Sequence, residues 1–319
     1  MGNKYLHYLF LCIFVVISTS CSLVKKAAIT PTGMIIYDAS FDQQIENDWQ
    51  VFENSIYGNI KLVEGFLSQD EGNKNLLATL LKAYTAKGFA IDETYLLQDQ
   101  LAEKENSVHL KRALNSYTKA LYYGVRYLDG IELSSYVNSP DELTKVLDSK
   151  LGSSTRDLEV AMYLGQSLGS LVNLQRTNMK VISYLPVAKA LYDWACSRDP
   201  KLNYGACEIF YATYEAGRPR MLGGNPQKGR EIFENAIRAW PKNWLVRASF
   251  VQFYAIPMLE EDIYEEQESF ISQVAREESN SQYWQGETIA LPEKNYVSVF
   301  NMIATKRMNI IKKYRKSIF

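Results

Sequence analysis

The chain has 319 residues, of which 47% are hydrophobic and 22% are charged, and its formal net charge is −1. This composition excludes an intrinsically disordered chain, a collagen-like chain and a small disulfide-stapled domain. A net charge near zero also argues against nucleic acid as a partner, because binding phosphates needs a basic surface. We therefore expect one or two globular domains with a large apolar core.

The first residues of the chain have the pattern of an export signal. Lys4 precedes the apolar run Tyr8–Ile17, and the three small residues 18–20 stand directly before Cys21. Such a segment is removed on export and is not part of the fold. A lipoprotein signal peptidase requires a small residue before Cys, because the thiol first receives a diacylglycerol and then becomes the new N-terminus. We predict a signal peptide at 1–20 and a lipid on Cys21.

Two other interpretations of this segment stay open. It could be an ordinary cleaved signal, or a signal anchor in which Cys21 is incidental, since Ser18 stands where lipoproteins usually have Leu. Ser22 rather than Asp follows Cys21, which favours the outer membrane over the inner one as the destination. Residues 21–38 are then predicted to be a lipid-anchored tether, and residues 39–319 the folded domain.

The remaining cysteines and histidines limit the chemistry of the mature chain. Cys196 and Cys207 could form a disulfide in an oxidising compartment, or remain two buried thiols. His109 is the only histidine outside the predicted signal, which contains His7. One histidine cannot build a multi-histidine metal site. We therefore predict no metal and no cofactor other than the covalent lipid on Cys21.

One motif typical of serine hydrolases occurs in the sequence. Gly165, Ser167 and Gly169 match the nucleophile elbow GxSxG, which needs a strand before it, a helix after it and a histidine base later in the chain. Apolar residues repeat at helical spacing straight through the motif, and no His follows Ser167. We interpret these small residues as a close contact between helices and predict that the protein is not an enzyme.

Helical periodicity covers nearly all of the chain beyond residue 38, and no run of alternating strand pattern occurs. The pattern predicts an all-α protein with about ten or eleven helices. The predicted spans are 42–67, 74–89, 107–128, 140–150, 156–176, 184–197, 202–217, 226–239, 243–258, 262–277 and 293–314.

Local signals support two of these helix starts. Ser139 and Pro140 combine an N-cap residue with Pro at the first helical position. Asn225 and Pro226 do the same after the Gly223-Gly224 turn. We prefer this interpretation to a phosphate-binding loop, because that loop would need Lys and Ser or Thr after its last glycine.

Three of the predicted helices carry the pattern AxxxYxxAxxxxP of the second helix in a tetratricopeptide (TPR) unit, in which small residues mark helix contacts and an aromatic fills the gap. The matching residues are Ala188, Tyr192, Ala195 and Pro200; Gly229, Phe233, Ala236 and Pro241; and Ala113, Tyr117 and Ala120. The aromatics are 75 and 41 residues apart (192 − 117 and 233 − 192), which departs from the 34-residue unit. The sequence therefore predicts an irregular TPR-like solenoid with a concave surface.

The predicted helix 202–217 has two different sides. Small residues that suit packing against the next helix recur along one side: Gly205, Ala206, Ile209, Ala212 and Ala216. Polar and aromatic residues recur along the other side at intervals of three and four: Tyr204, Glu208, Tyr211, Glu215 and Arg218. We predict that this polar-aromatic face binds a ligand or partner, with simple solvent exposure as the alternative.

Two charge clusters occur near the C-terminus. Acidic residues are Glu260, Glu261, Asp262, Glu265, Glu266 and Glu268, and basic residues are Lys306, Arg307, Lys312, Lys313, Arg315 and Lys316. Solvated helix faces explain such clusters most simply. Pairing between subunits, or contact of the basic end with anionic lipid, are the alternatives.

The region from about residue 40 to residue 310 resembles the T-component family of TRAP transporters. The resemblance rests on Leu185-Pro186 before a helix that ends at Arg198-Asp199-Pro200, on Tyr204-Gly205-Ala206, and above all on the loop Leu222, Gly223, Gly224, Asn225 and Pro226, which leads into Lys228 and Phe233. The chain departs from the family at three positions. The family usually has Asp in place of Asn225, often has His in place of Glu208, and has Ala in place of Gly229.

The resemblance implies a periplasmic, lipid-tethered protein with TPR-like helices that forms a homo-oligomer. It also implies docking to the solute-binding protein (P component) of a TRAP transporter and capture or hand-over of an organic or apolar ligand. If the family's His contacts ligand, Glu208 would change the charge preference of the site. The alternative function is an envelope scaffold lipoprotein whose TPR groove holds outer-membrane or cell-wall assembly partners. An aromatic-lined internal cavity would favour the transporter role.

Overall fold

The computed structural model describes residues 28–281, 286 and 295–319. The predicted signal peptide and Cys21 lie outside these described residues. The described chain is helical and contains no β-strand, which confirms the all-α prediction. None of the helices it describes is both long enough and apolar enough to cross a membrane.

The helices are numbered here in chain order. They are α1 (28–39), α2 (Trp49–Leu67), α3 (Lys74–Ala86), α4 (Glu93–Leu101), α5 (Val108–Tyr127), α6 (Pro140–Lys150), α7 (Thr155–Leu174), α8 (Met179–Ile182), α9 (Leu185–Arg198), α10 (Ala206–Gly217), α11 (Pro226–Ala239), α12 (Trp244–Phe250), α13 (Ile256–Met258), α14 (Glu261–Ser281), α15 (Ser298–Lys313) and α16 (Arg315–Ile318). Short 3₁₀ helices occupy Asp42–Ile45, Leu133–Tyr136, Leu202–Tyr204 and Arg220–Leu222.

Two of the long helices contain a π-helical segment. Lys87–Asp92 joins α3 to α4 and Val251–Ala255 joins α12 to α13 without a break in the helix. A π turn inserts one residue into the helical ladder, and such segments are found frequently at functional sites. The predicted helix 74–89 therefore continues to Leu101, well beyond its predicted end.

Side-chain caps fix several helix starts where the sequence indicates them. The Asn225 side chain accepts a hydrogen bond from the Lys228 N–H at 3.1 Å, and Pro226 is the first helical residue. Pro140 likewise begins α6, but the Ser139 side chain makes no capping hydrogen bond. Both predicted helix starts are thus confirmed, with Ser139 at the N-cap position of α6.

The body of the fold is a succession of antiparallel helices, with α3, α5, α7 and α9 packed one after another and α10 packed against α11. The TPR-pattern residues lie at these contacts. A Cβ at Gly88 would lie 2.9 Å from the ring of Tyr117, one at Gly165 would lie 3.0 Å from the ring of Tyr192, and one at Gly229 would lie 2.9 Å from Cβ of Ala216. The hydrolase-like motif accordingly lies inside α7, where buried Ser167 bonds Thr85 at 2.8 Å.

Helix α1 is part of the fold, which differs from the prediction of a tether through residue 38. Its Tyr37 is buried and donates a hydrogen bond to Glu159 of α7 at 2.8 Å. The other carboxylate oxygen of Glu159 accepts an ion pair from Lys82 of α3 at 3.0 Å. Burial, reinforced by the charge of Glu159, raises the pKa of the Tyr37 hydroxyl well above its usual range. Because these contacts are internal, α1 is held in a fixed orientation.

Cys196 of α9 and Cys207 of α10 form a disulfide, with Cα atoms 6.0 Å apart. Of the two alternatives left by the sequence, the structure therefore has the bonded pair. The bond fastens α10, which enters the candidate site, to the helix before it.

The C-terminal charge clusters pair with each other inside the chain. Arg315 bonds Glu261 at 2.9 Å and also Glu265, and Lys312 bonds Glu268 at 2.6 Å. Arg307 is instead 1% exposed, so it belongs to no basic surface. These internal pairs occupy much of the charge that pairing between subunits would need.

Candidate functional site

A cavity of about 1110 Å³ lies among the helices and is called the central cavity here. Its wall includes residues of α1, α2, α3, α7, α10, α12 and α15 and of both π-helical segments, with smaller contributions from α4, α8, α9, α11 and α13. Most of the wall is apolar and partly aromatic, as in typical small-molecule sites. Representative wall residues are Phe52, Phe89, Met162, Phe210, Phe253 and Phe300.

Helix α10 forms one side of the central cavity. Ala206, Ile209, Phe210, Thr213 and Tyr214 all line it. The Phe210 ring stacks on Tyr192 of α9 with the ring centres 3.7 Å apart and the planes 8° apart, which fixes its position in the wall. This side of α10 therefore presents a rigid aromatic surface to any occupant.

Polar side chains are a minority on the wall of the central cavity, and two of them carry a hydroxyl without a partner. The hydroxyl oxygens of Ser40 and Thr213 are buried and make no hydrogen bond within the described chain. A buried hydroxyl without a partner costs free energy. Asn203 and Tyr163, also on the wall, instead satisfy each other at 2.9 Å.

A buried charged network lies behind the two π-helical segments. Arg307 of α15 donates to Thr94 at 3.0 Å, to Gln252 at 2.9 Å and to the carbonyl oxygen of Phe89. Its guanidinium lies 4.2 Å from the centre of the Phe89 ring. Since Phe89 and Gln252 line the central cavity, Arg307 holds both segments of its wall in place.

Glu93 is the acidic member of this network. It lines the central cavity and accepts a hydrogen bond from the buried Tyr117 hydroxyl. Burial raises the pKa of the Glu93 carboxyl, although Arg307 and Tyr117 oppose the change. Burial lowers the pKa of Arg307, and the charge of Glu93 opposes that change. The Glu93 carboxylate and the Arg307 guanidinium therefore each favour the charged form of the other.

The charged side chains on the cavity wall are mostly cationic. Lys82, Arg176, Arg218 and Arg220 line it, whereas Glu93 is the only carboxylate among the described wall residues. Lys82 is paired with Glu159 and Arg218 with Glu215, so Arg176 and Arg220, both at exposed positions, carry the rest of the positive charge. This balance disfavours a cationic occupant, because like charges repel.

The loop that carries the family resemblance shapes one edge of the central cavity. Gly223 has φ +82°, and a Cβ at Gly224 would collide with the carbonyl oxygen of Arg218. The Asn225 N–H donates to the carbonyl oxygen of Glu215 at 2.9 Å. Both glycines are thus needed for the chain to wrap closely around Arg218, and Pro226 then joins the cavity wall. Leu222 ends the short 3₁₀ helix before this turn.

The five residues of the predicted face do not converge on one place. Glu208 and Tyr211 lie together on a second, smaller pocket of about 360 Å³ beside the disulfide. Glu215 pairs with Arg218 at 3.3 Å and with Lys228 at 2.8 Å. Of the five, only Arg218 lines the central cavity.

The remaining contacts of that face are local. Tyr204 packs edge-on against Trp240 with ring centres 6.4 Å apart. The Tyr211 hydroxyl donates to Asp193 at 2.9 Å, and burial raises its pKa. One carboxylate oxygen of Glu208 is buried without a hydrogen bond. Because Glu208 lies on the small pocket, it would affect charge preference there and not in the central cavity.

The cavity-lining residues of α10 that the sequence analysis did not assign to the site are close in sequence to those of the predicted face. Ile209 and Ala206 were assigned to helix packing, yet they line the central cavity. Ala212 and Ala216 do pack against Gly229 of α11 as predicted. The four-residue spacing of Phe210 and Tyr214 was the sequence signal that could have indicated the cavity-lining side of α10. The helices on the other sides of the cavity come from distant parts of the sequence.

Within the residues that the structure describes, no group of three or more His, Cys, Asp or Glu side chains could hold a metal ion. The site is therefore best described as an apolar cavity with a few polar anchors.

Comparison with known proteins gives one family match. No curated protein matched the sequence. The family model described as TRAP transporter T-component matches residues 45–282, which include α2 to α14. This match covers well over half of the chain and contains the glycine loop and most of the cavity wall. The chain therefore belongs to the TRAP transporter T-component family and is an accessory component of such a transporter.

Proposed function

We propose that the protein holds an organic, largely apolar ligand in the central cavity and exchanges it with the solute-binding protein of a TRAP transporter. The observation that carries the proposal is a cavity of about 1110 Å³ with a mainly apolar, partly aromatic wall, in a chain of this family. A scaffold that only docks peptides would need an open groove with polar anchors. The cavity favours the ligand-binding role.

The cavity wall also supports a ligand class. Its mainly apolar area suits a hydrocarbon or aromatic body. The arginines favour a neutral or acidic ligand over a cationic one. We expect the loop 222–226 and the α10 end beside it to be the edge where the ligand enters or leaves.

We further propose that the protein works on the periplasmic side of the envelope as a homo-oligomer, anchored by a lipid on Cys21. The sequence motif around Cys21 supports the anchor and favours the outer membrane. Replacing Cys21 by Ala should release the protein from the membrane fraction. Equal incorporation of a clickable palmitate analogue into the variant would contradict the anchor.

Ligand binding is tested with an apolar fluorescent probe, N-phenyl-1-naphthylamine. Thr213→Trp should fill part of the central cavity and reduce the probe's fluorescence enhancement. Thr118→Trp is the matched control, because Thr118 is an exposed residue of α5 and the change adds the same ring outside the cavity. Tyr211→Ala tests the predicted polar-aromatic face. Loss of binding in Tyr211→Ala but not in Thr213→Trp would place the site in the small pocket instead.

The partner is tested by affinity purification of the tagged, lipidated protein from gently solubilised envelopes, followed by mass spectrometry. We expect a TRAP solute-binding protein to co-purify. Recovery of outer-membrane assembly factors without any solute-binding protein would replace the transporter role by the scaffold role.

A further inference from the structure

The outer face of α1 is apolar and exposed. Ala28, Pro31 and Ile35 recur at intervals of three and four, and Met34 and Ala39 lie beside them, so they share one face. Met34 is 54% exposed and Ile35 is 64% exposed. Asp38 is the only charged residue along the exposed side of this helix. The face therefore lacks the charges that would normally cover it.

This face cannot turn inward, because the other side of α1 is held. Tyr37 bonds Glu159 at 2.8 Å, and Thr30 donates to Asp70 at 3.2 Å. A Cβ at Gly33 would lie 2.6 Å from the Asn73 side chain, so the helix lies close to the turn before α3. The apolar side chains thus point permanently away from the core.

The position of α1 in the chain identifies what covers this face. Seven Cα–Cα steps separate Cys21 from Ala28, so α1 begins within about 25 Å of the anchoring residue. The intervening sequence contains Leu23 and Val24, followed by Lys25 and Lys26. Apolar residues beside basic ones suit the boundary of a bilayer with anionic headgroups.

The central cavity opens beside the same face. Ala39 lines the cavity and is also exposed, and Leu62 of α2 lines it while 59% of its surface remains exposed. Ile36, one helical position from Ile35, is also on the cavity wall. Residues that face both the cavity and the exterior mark a mouth, so a mouth of the cavity adjoins the apolar face of α1.

We infer that the outer face of α1 lies on the lipid bilayer and that the adjoining mouth of the central cavity opens toward the lipid. The inference rests on the proposed lipid anchor at Cys21. The central cavity would have a second mouth near Arg218 and Arg220. An apolar ligand could then pass through the cavity from the membrane to a partner, or back, without crossing water. This assigns the membrane as the surface from which, or to which, the ligand moves.

The test uses the full-length chain, lipidated in cells, with a nitrobenzoxadiazole fluorophore on Ile35→Cys. Met221→Cys is the matched control, because Met221 is an apolar residue, 91% exposed, on the 3₁₀ helix after α10. Both are reconstituted in vesicles of phosphatidylcholine and phosphatidylglycerol, with or without brominated acyl chains. We expect the label at 35 to shift to the blue and to lose emission in brominated vesicles, and the label at 221 to do neither.

Three results would overturn the inference, and they are distinguishable. A lipidated, vesicle-bound chain whose label at 35 emits as in water rejects the bilayer contact while leaving the anchor intact. A blue-shifted label that bromine does not quench shows that protein, such as a second copy, covers the face. A chain whose mass shows no lipid on Cys21 rejects the proposed anchor and the inference with it.

Discussion

Replacing Arg307 by Met should destabilise the protein by about 3–5 kcal/mol at pH 7, because removing one partner of a buried charge pair leaves the other uncompensated. Arg307 is 1% exposed and Glu93 is 6% exposed. The Met side chain keeps much of the volume but loses the hydrogen bonds to Thr94, Gln252 and the Phe89 carbonyl oxygen. Urea unfolding followed by far-UV circular dichroism measures the loss.

The pH dependence of this loss has a definite sign. Burial already raises the pKa of Glu93, and removing Arg307 should raise it further. A group whose pKa is higher in the folded state favours folding below its unfolded value, and this contribution is lost as the pH rises through the folded value. The penalty of Arg307→Met should therefore shrink as the pH falls from 7 toward 4.5, the ordinary Glu value.

A double variant separates the charge effect from packing. Adding Glu93→Gln to Arg307→Met removes both charges and should recover a large part of the lost stability. Arg315→Met is the control, since Arg315 is a surface residue with exposed partners, and it should change stability little. A double variant as unstable as Arg307→Met, or a penalty that grows in acid, would refute the coupling between Arg307 and Glu93.

Three further predictions concern single features of the fold. Cys196→Ser with Cys207→Ser should cost about 3 kcal/mol, the loop-closure value for a bridge spanning 11 residues, and dithiothreitol should lower the Tm of the wild type only. Burial alone would raise the pKa of Glu64, but hydrogen bonds from one lysine and two tyrosines lower it to about 2. The wild type should therefore be more stable than Glu64→Gln above pH 4.5, and this advantage should disappear as the pH falls toward 2. Gly224→Ala should destabilise the loop around Arg218 by about 1–3 kcal/mol, as thermal unfolding would show.

Gly58→Ala is the matched control for Gly224→Ala. Gly58 is an exposed residue of α2 whose added Cβ would meet no atom within 4 Å, so the change should be neutral or stabilising by up to about 1 kcal/mol. A Tm of wild type that dithiothreitol leaves unchanged would argue against a stabilising disulfide. A Glu64→Gln difference that persists unchanged at pH 2 would contradict the low pKa of this carboxyl.

Local signals in the sequence predicted local structure well. Asn225 and Pro226 start α11 as expected, because capping involves only neighbouring residues. The TPR-pattern aromatics Tyr117 and Tyr192 lie against glycines of neighbouring helices, since the pattern encodes the contact itself. Fold class and helix contacts were therefore accessible from the sequence alone.

The helix end at residue 89 was not accessible in this way. The π-helical segment Lys87–Asp92 inserts a residue, so apolar positions after it are out of phase with those before it. A search for a 3.6-residue period loses its signal at that point and ends the helix too early. The other π segment fell inside a predicted helix and left no trace in the pattern.

The site was harder to predict because both sides of α10 carry aromatic and polar residues. Tyr211 and Tyr214 look equivalent on an isolated helix, yet Tyr214 lines the central cavity and Tyr211 the small pocket. The choice depends on α7 and α12, whose positions follow from long-range packing. Whether the predicted face binds a partner stays a prediction.

The contacts of Arg307 also constrain the order in which parts of the chain can fold. They join residues 213 and 218 positions apart in the chain, so the last long helix closes a core whose other parts are synthesised much earlier. Contacts of such high sequence separation slow folding, because a long loop must be closed before they form. A ribosome-bound chain that ends before α15 keeps Glu93 without its cation. Folding of the core around Glu93 therefore waits until α15 has been synthesised.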